Sequence, residues 1–330
     1  MKKEELRYLQ RLAELYPTIA KASTEIINLQ SILNLPKGTE HFMSDIHGEY
    51  DAFSHVLRNG SGAVRKKIDD VFGHTLSNSD KRSLATLIYY PKEKMEVVKK
   101  QEEDMENWYK ITLYRLIEVC KTTASKYTRS KVRKALPPEF SYIIDELLHA
   151  QSDEDNNQYV YHEKIIDTII DIGSADAFIE AYTKLIKRLA VDHLHIVGDI
   201  FDRGSNADRI IELLMKYHSL DIEWGNHDIL WMGAACGSEA CIANVLRNNI
   251  KYGNMEILEN SYGISLRSLI LFAEKLYPDL TPMKAALKAI SIILFKLEGQ
   301  IIMRHSEYNM DDRLLLDKMD LGKGTVCIEG

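Results

Sequence analysis

Three short motifs combine carboxylate, imidazole, amide and guanidinium side chains: DIHG from position 45, GDIFDRG from position 198 and GNHD from position 225. Carboxylate oxygens and imidazole nitrogens bind divalent cations, and a guanidinium fork matches a phosphoryl group through two N–H bonds. An imidazole also titrates near working pH, so it can hand a proton to a departing oxygen. The motifs together predict a site for divalent cations and a phosphoryl group.

In the first motif, Asp45 and His47 lie two positions apart at the end of a predicted strand. Residues with this spacing leave a strand on the same face, so the pair can hold one cation through an oxygen and a nitrogen. A DxH triplet occurs by chance about once in a chain of this length, and a lone one is more often a turn. The pair therefore depends on the other two motifs for its interpretation.

The second motif is much more specific, because five fixed positions in GDxxDRG occur by chance in roughly one such chain in ten thousand. Asp199 has two oxygens with which to bridge two cations. Arg203 offers a planar fork for phosphate that a lysine lacks. The structural alternative is a surface turn in which Asp202 and Arg203 form a local ion pair.

The third motif adds Asn226 as a neutral oxygen ligand next to His227. We expect His227 to act as the proton donor to the leaving alkoxide, with Asp202 as the carboxylate that holds it protonated. Two cations between these groups would clamp the phosphoryl oxygens and generate a hydroxide for in-line attack.

Each motif follows a short β-like run, namely His41 to Ser44, His193 to Val197 and Leu220 to Trp224. Helical patterns begin after them near Glu49, near Ser205 and after Asp228. This βα repeat predicts an α/β fold in which the motifs meet at the carboxyl edge of one sheet, where such sheets bind ligands.

The long segment between the first two motifs is predicted to be mostly helical and structural. A stripe of apolar positions with spacings of three and four predicts a helix face in the core: Met105, Tyr109, Leu113, Leu116 and Cys120. The basic run at 125–134 is interpreted as a solvated face, with an anion-binding site as the alternative. Gly73-His74-Thr75 is interpreted as structural.

Composition excludes several classes of function. The 330 residues include 42 basic and 49 acidic side chains, a net charge of −7, which predicts no general attraction to nucleic acid or anionic membrane. No apolar run approaches the roughly 18 residues of a membrane span. Four cysteines without a CxxC pair favour buried or inert thiols over disulfides or a zinc cage. These features predict a cytoplasmic protein.

The ordered motifs DxH(G), GDxxDRG and GNH(D/E) resemble the calcineurin-like metallophosphatase superfamily. Three further segments are similar to bacterial class 3 fructose-1,6-bisphosphatases: KRSLATLIYYPKEK at 81–94, the run at 225–254 and FKLEGQIIMRH at 295–305. The resemblance implies a β-sandwich core flanked by helices, with a large helical insertion. It also implies hydrolysis of fructose 1,6-bisphosphate in gluconeogenesis.

The same resemblance implies a role for each motif residue. Asp45 and His47 would bind the first metal, Asp199 would bridge and Asn226 would bind the second. Arg203 would hold phosphate. Manganese is the implied metal, although the ligand types do not select it over iron or zinc. The expected partner is a sugar bisphosphate, and a homo-oligomer is left open.

The organisation expected from this resemblance has four parts. Residues 1–40 form an N-terminal helical segment, residues 41–60 and 191–235 form a partial metallophosphatase core, and residues 61–190 form the helical insertion. Residues 236–330 form a helical continuation that ends in an incomplete strand.

The superfamily completes its metal site with further histidines in loops downstream of GNH, and this chain has only His305 there, in a segment that resembles neither loop. We therefore expect an amino-terminal portion of a longer protein, weakly active or inactive alone. The alternatives are another phosphoesterase of the superfamily, acting on phosphoproteins or dinucleotides, and a non-catalytic fragment or binding module.

Overall fold

A computed structural model describes residues 3–150 and 156–328 of the chain. The described parts of Met1–His41 and Val56–His193 form one compact unit, here called unit 1. The described parts of Phe42–His55 and Leu194–Gly330 form the other, called unit 2. All three motifs lie in unit 2.

Unit 1 is built from helices. Two of them precede the first strand and eight follow the third helix of the chain: α1 Lys3–Leu15, α2 Ile19–Ile32, α4 Ala63–Phe72, α5 Asn78–Tyr89, α6 Pro91–Val98, α7 Met105–Ala124, α8 Arg129–Ala135, α9 Ser141–His149, α10 Asn156–Asp171 and α11 Ala175–Ala190. The helix α3, Tyr50–Asn59, crosses the boundary between the units.

The core of unit 1 forms around α7 and α11. The Asp104 carboxylate caps α7 by accepting the N–H of Asn107 at 3.0 Å. Within α7, Leu113, Leu116 and Cys120 are fully buried, so the predicted core stripe is confirmed, and burial raises the pKa of the Cys120 thiol. The remaining two stripe residues, at the start of the helix, are partly buried.

Unit 2 combines a small sheet with helices. The strands are β1 Glu40–Met43, β2 His193–Val197 and β3 Leu220–Glu223, and the first residues of β1 and β2 belong to unit 1. The helices of unit 2 are α12 Ala207–Leu214, α13 Asn226–Ala235, α14 Glu239–Tyr252, α15 Arg267–Leu276 and α16 Pro282–Arg304. The strand order is β1-β2-β3, and β2 pairs with β3 in parallel, with Leu194 opposite Leu220. A π-helical turn lies at Ile257–Ser261.

The three predicted strands are present within one residue of their predicted limits, and the α/β class is confirmed. The helix after β3, α13, begins at Asn226, earlier than the predicted start after Asp228. The reason is that the Asp228 carboxylate accepts the N–H of Gly225 at 2.9 Å, so this aspartate caps the helix from inside its first turn.

The strand predicted near the end of the chain is present as one arm of a short hairpin. The strand β5, Thr325–Val326, pairs in antiparallel fashion with β4, Met319–Asp320. The turn between them is closed by Asp320 Oδ1, which accepts the N–H groups of Gly322 and Lys323 at 3.0 Å each. An aspartate bonding to the backbone two residues on is a common turn device that the sequence interpretation overlooked.

The basic run at 125–134 is only partly a solvated face. Lys126 donates to Thr39 Oγ1 at 2.9 Å, and burial lowers the pKa of its amine. Lys131 pairs with Asp192, and Arg133 pairs with Asp145 at 3.1 Å. Three of its cations therefore have partners within unit 1.

The four cysteines are all free. Cys120 is buried, Cys241 is partly buried, and Cys236 and Cys327 are exposed. Among the helices of the described ranges, none is long and apolar enough to cross a membrane.

We predict that Tyr182→Phe leaves unit 1 as stable as before or stabilises it by about 1 kcal/mol. The hydroxyl of Tyr182 is buried and has no hydrogen-bond partner among the described residues, so removing it relieves a desolvation cost. Tyr109→Phe is the matched control, because Tyr109 donates to Asp176 at 2.8 Å and its loss should cost about 1 kcal/mol. Urea unfolding of the three proteins measures both effects, and an equal loss in the two variants would contradict the prediction.

Candidate functional site

The loop after β1 holds Asp45 and His47 in the left-handed backbone region, with φ values of 53° and 48°. Non-glycine residues rarely adopt this conformation, although aspartate and histidine tolerate it better than most. His47 Nε2 then lies 3.6 Å from Asp45 Oδ1. The two side chains come together through turned backbone, and not through the strand alternation that the sequence argument assumed.

The loop after β2 is locked to the first loop by backbone hydrogen bonds. His47 N–H donates to the carbonyl of Asp199 at 2.8 Å, and Gly48 N–H donates to that of Ile200 at 2.8 Å. Asp199 also has a left-handed backbone, with φ of 54°. Strained residues of this kind cluster at functional sites. The arrangement holds Asp199 beside the first pair of ligands.

The glycine that ends the second motif is required by close approach. Gly204 N–H donates to the carbonyl of His47 at 2.8 Å. A Cβ atom at position 204 would lie 2.1 Å from that carbonyl oxygen, which is far inside van der Waals contact. Any side chain at this position would therefore push the first and second loops apart.

The loop after β3 packs directly on Asp199. A Cβ atom at Gly225 would lie 2.0 Å from Asp199 Oδ1, so only glycine fits there. His227 N–H approaches the same oxygen at 3.3 Å. Asn226, the first residue of α13, lies between these two contacts and is exposed. The structure therefore brings all three motifs to one place in unit 2.

Asp45, His47 and Asp199 form a group that suits a metal ion, because their candidate ligand atoms all lie within 4.8 Å of one another. The donor set of two carboxylates and one imidazole fits manganese, iron or zinc. The Asp45 side chain is 71% exposed and that of His47 is 19% exposed, so the group is open to solvent on one side.

Asp202 lies between two imidazoles. Its Oδ2 is 3.3 Å from Nδ1 of His47, and its Oδ1 is 3.4 Å from Nδ1 of His227. The two rings lie edge to face with centroids 6.0 Å apart. The Nδ1 atom of His47 is buried without a well-aligned hydrogen bond among the described residues, so this carboxylate is the contact that compensates its burial. The sequence indicated only the contact with His227.

Arg203 presents its guanidinium to solvent at the edge of this cluster. Its side chain is 65% exposed, and its Nε lies 4.0 Å from Asp202 Oδ2. The backbone of Arg203 is fixed by a hydrogen bond, because the Nδ2 group of the buried Asn254 donates to the Arg203 carbonyl at 2.5 Å. A fixed backbone with a free fork suits a residue that binds an anion arriving from solvent.

A small pocket opens beside the Asp202 and His227 pair. Its other walls come from α13 and α14: Leu230, Trp231, Val245, Asn248 and Asn249. The Trp231 ring stacks on Phe201, with centroids 4.4 Å apart. The candidate proton donor therefore borders a cavity with apolar, aromatic and amide walls.

A family model described as Firmicute fructose-1,6-bisphosphatase matches residues 7–330. The chain belongs to this family. It is 57% identical over 99% of its length to a protein named fructose-1,6-bisphosphatase class 3 1 from Clostridium beijerinckii, covering 52% of that relative. It is 55% identical over its whole length to the class 3 enzyme of Listeria monocytogenes serotype 4b (strain CLIP80459), covering 53% of it. The chain thus spans about half the length of the curated relatives it matches, and no solved structure matches it.

Two buried residues of this bisphosphatase-family chain had no role assigned from sequence. Asp228 accepts backbone N–H groups from the second and third loops, and Asn254 holds the Arg203 carbonyl. Both lie in segments that resemble the class 3 enzymes, yet only the fold shows what they contact. A buried polar residue type gives no partner until the tertiary structure is known.

We predict that Asp202→Asn weakens Mn²⁺ binding about 10- to 100-fold, because it removes the carboxylate that orients His47. Isothermal titration of the purified protein with MnCl₂ measures the change. Asp279→Asn, which removes an exposed carboxylate from a loop of unit 2, is the control and should bind as the unmodified protein does. Equal affinity in both variants would show that Asp202 serves His227 alone.

Proposed function

We propose that this chain forms the metal- and phosphate-binding part of an enzyme that hydrolyses fructose 1,6-bisphosphate to fructose 6-phosphate and phosphate, in gluconeogenesis. The observation that carries the proposal is the cluster of Asp45, His47 and Asp199, with three candidate ligand atoms within 4.8 Å. Family membership supports the substrate, since the relatives are named as fructose-1,6-bisphosphatases.

Manganese is our proposed metal, with iron and zinc compatible with the same donors. Asp45 and His47 would hold the first cation, Asn226 the second, and Asp199 both. Bound cations of this kind supply Lewis acidity toward the phosphoryl group and toward water. They also offset three neighbouring carboxylates that would otherwise repel an anionic substrate.

The remaining residues would act on the substrate itself. Arg203 would bind two phosphoryl oxygens through its exposed fork. His227 would pass its proton to the sugar oxygen as the phosphorus–oxygen bond breaks, while Asp202 orients the ring. The sugar would then lie on the side of the site bordered by His227, where Trp231 offers an apolar face and Asn248 an amide.

We further propose that the three-stranded sheet is one layer of a calcineurin-like β-sandwich. Parallel sheets are normally covered on both faces. In β3, however, Ile222 is 47% exposed, and Trp224, the residue after the strand, is 64% exposed. This exposed apolar surface supports the proposal. The relatives, about twice as long as this chain, have length to supply further strands.

A cytoplasmic location is proposed, because the four cysteines are free, as thiols are in a reducing compartment. The net charge of the chain is −7. The same charge favours a small anionic substrate held by local cations over nucleic acid or membrane partners. Homo-oligomerisation is compatible with this function.

The test is hydrolysis of fructose 1,6-bisphosphate by the protein in its natural length with excess MnCl₂, beside an aryl phosphate. We expect turnover of the sugar phosphate, and Asp199→Asn to lower it at least about 100-fold, since both cations lose a ligand and misplacement by about 1 Å costs that much. The proposal fails if the protein does not hydrolyse fructose 1,6-bisphosphate. Hydrolysis of the aryl phosphate alone would then favour another phosphoesterase. Hydrolysis of neither compound would favour a binding module.

The 330-residue chain alone should be far less active in the same assay. Four candidate ligands, with Asp199 shared, give the first cation three protein donors and the second two, whereas such ions prefer about five or six. Robust turnover by the 330-residue chain would mean that its own residues complete the site.

We predict that Arg203→Ala raises KM and lowers kcat while leaving the manganese content unchanged, and that Arg203→Lys restores only part of the loss. The reason is that the fork faces solvent and contacts no candidate metal ligand closely. Steady-state kinetics and metal analysis measure the two effects. Loss of manganese from the alanine variant would show that Arg203 has been assigned the wrong role.

A further inference from the structure

Asp228 is a buried carboxylate that neither binds metal nor faces substrate in the function proposed above. Its side chain lies inside unit 2 with the residue 7% exposed. Its Oδ1 accepts the N–H groups of Ile200 at 2.9 Å and Phe201 at 3.1 Å, and its Oδ2 accepts that of Gly225 at 2.9 Å. One side chain therefore satisfies three backbone donors from two loops.

The three backbone donors lie next to the candidate site residues in the sequence. Ile200 and Phe201 lie between the two aspartates of the second motif, and Gly225 directly precedes Asn226. These N–H groups lie just past the ends of β2 and β3, where strand pairing no longer supplies an acceptor. Hydrogen bonds to a charged acceptor are also roughly twice as strong as neutral ones.

The loops that Asp228 joins are under strain. Asp199 has φ of 54°, and a Cβ atom at Gly225 would collide with its carboxylate. Such backbone persists only when its surroundings hold it firmly. The three hydrogen bonds to Asp228 supply that restraint on both sides of the contact.

We propose that Asp228 is a positioning residue that sets the distance between Asp199 and Asn226, and thereby the geometry of both cation positions. The inference rests on the proposed metal function for its consequence, but the restraint on the loops belongs to the protein alone. Asparagine cannot replace it, because its amide nitrogen would face either the Gly225 N–H or the N–H groups of the second loop.

The test compares Asp228→Asn with the unmodified protein and with Ile290→Ala, a cavity variant in α16 that lowers the stability of unit 2 without touching the loops. Amide hydrogen exchange without metal is the first measurement. We expect the N–H groups of Ile200, Phe201 and Gly225 to exchange at least tenfold faster in Asp228→Asn, and to be unchanged in Ile290→Ala. Unchanged exchange in Asp228→Asn, or equal acceleration in both variants, would overturn the inference.

The second measurement is manganese binding, monitored through the electron paramagnetic resonance of Mn²⁺. We expect affinity to fall at least tenfold in Asp228→Asn and to be retained in Ile290→Ala. If exchange accelerates but manganese affinity is unchanged, the positioning role toward the metals is refuted. If the unmodified natural-length protein binds no manganese, the proposed metal function fails, while hydrogen exchange still decides whether Asp228 holds the loops.

Discussion

The close approach of backbone at the three motif loops is the constraint on which the candidate site depends. At Gly204 and Gly225 a single added Cβ atom would lie 2.1 Å from the His47 carbonyl and 2.0 Å from the Asp199 carboxylate, respectively. The loops can therefore meet only if those positions are glycine. Arg203 directly precedes Gly204, and Asn226 directly follows Gly225. The close packing of backbone at these glycines therefore brings candidate site residues from distant parts of the sequence close together.

That packing concentrates charge as well as ligands. Asp45, Asp199 and Asp202 lie in one small region, and Arg203 contributes a permanent positive charge next to them. Like charges at short range destabilise one another, and imidazoles or cations relieve this. Asp202 is relieved by contacts with two rings, one at each oxygen. The more exposed carboxylate of Asp45 and that of Asp199 lack such partners for both oxygens, so a bound cation would offset their negative charge.

The sequence predicted the three strands of the sheet, because each leaves a local signal. β2 was predicted at its observed limits, since a short apolar run ended by a glycine turn is a local pattern. The contact of Asp202 with His47 and the roles of Asp228 and Asn254 were not predicted, since each joins loops far apart in the chain. The start of α13 was also misplaced, because the capping group of Gly225 lies inside the helix and not before it.

The candidate site divides its work by depth. Asp45 and Arg203 are largely exposed, at 71% and 65%, and are free to meet ions and substrate from solvent. Asp228 and Asn254 are each 7% exposed, and among the described residues their side chains form hydrogen bonds with the backbone of the site loops. A loop that must present charge to solvent cannot also be fixed by apolar burial, so its restraint has to come from polar groups beneath it. The backbone contacts of the buried pair follow from that requirement, and they leave the exposed pair open to solvent.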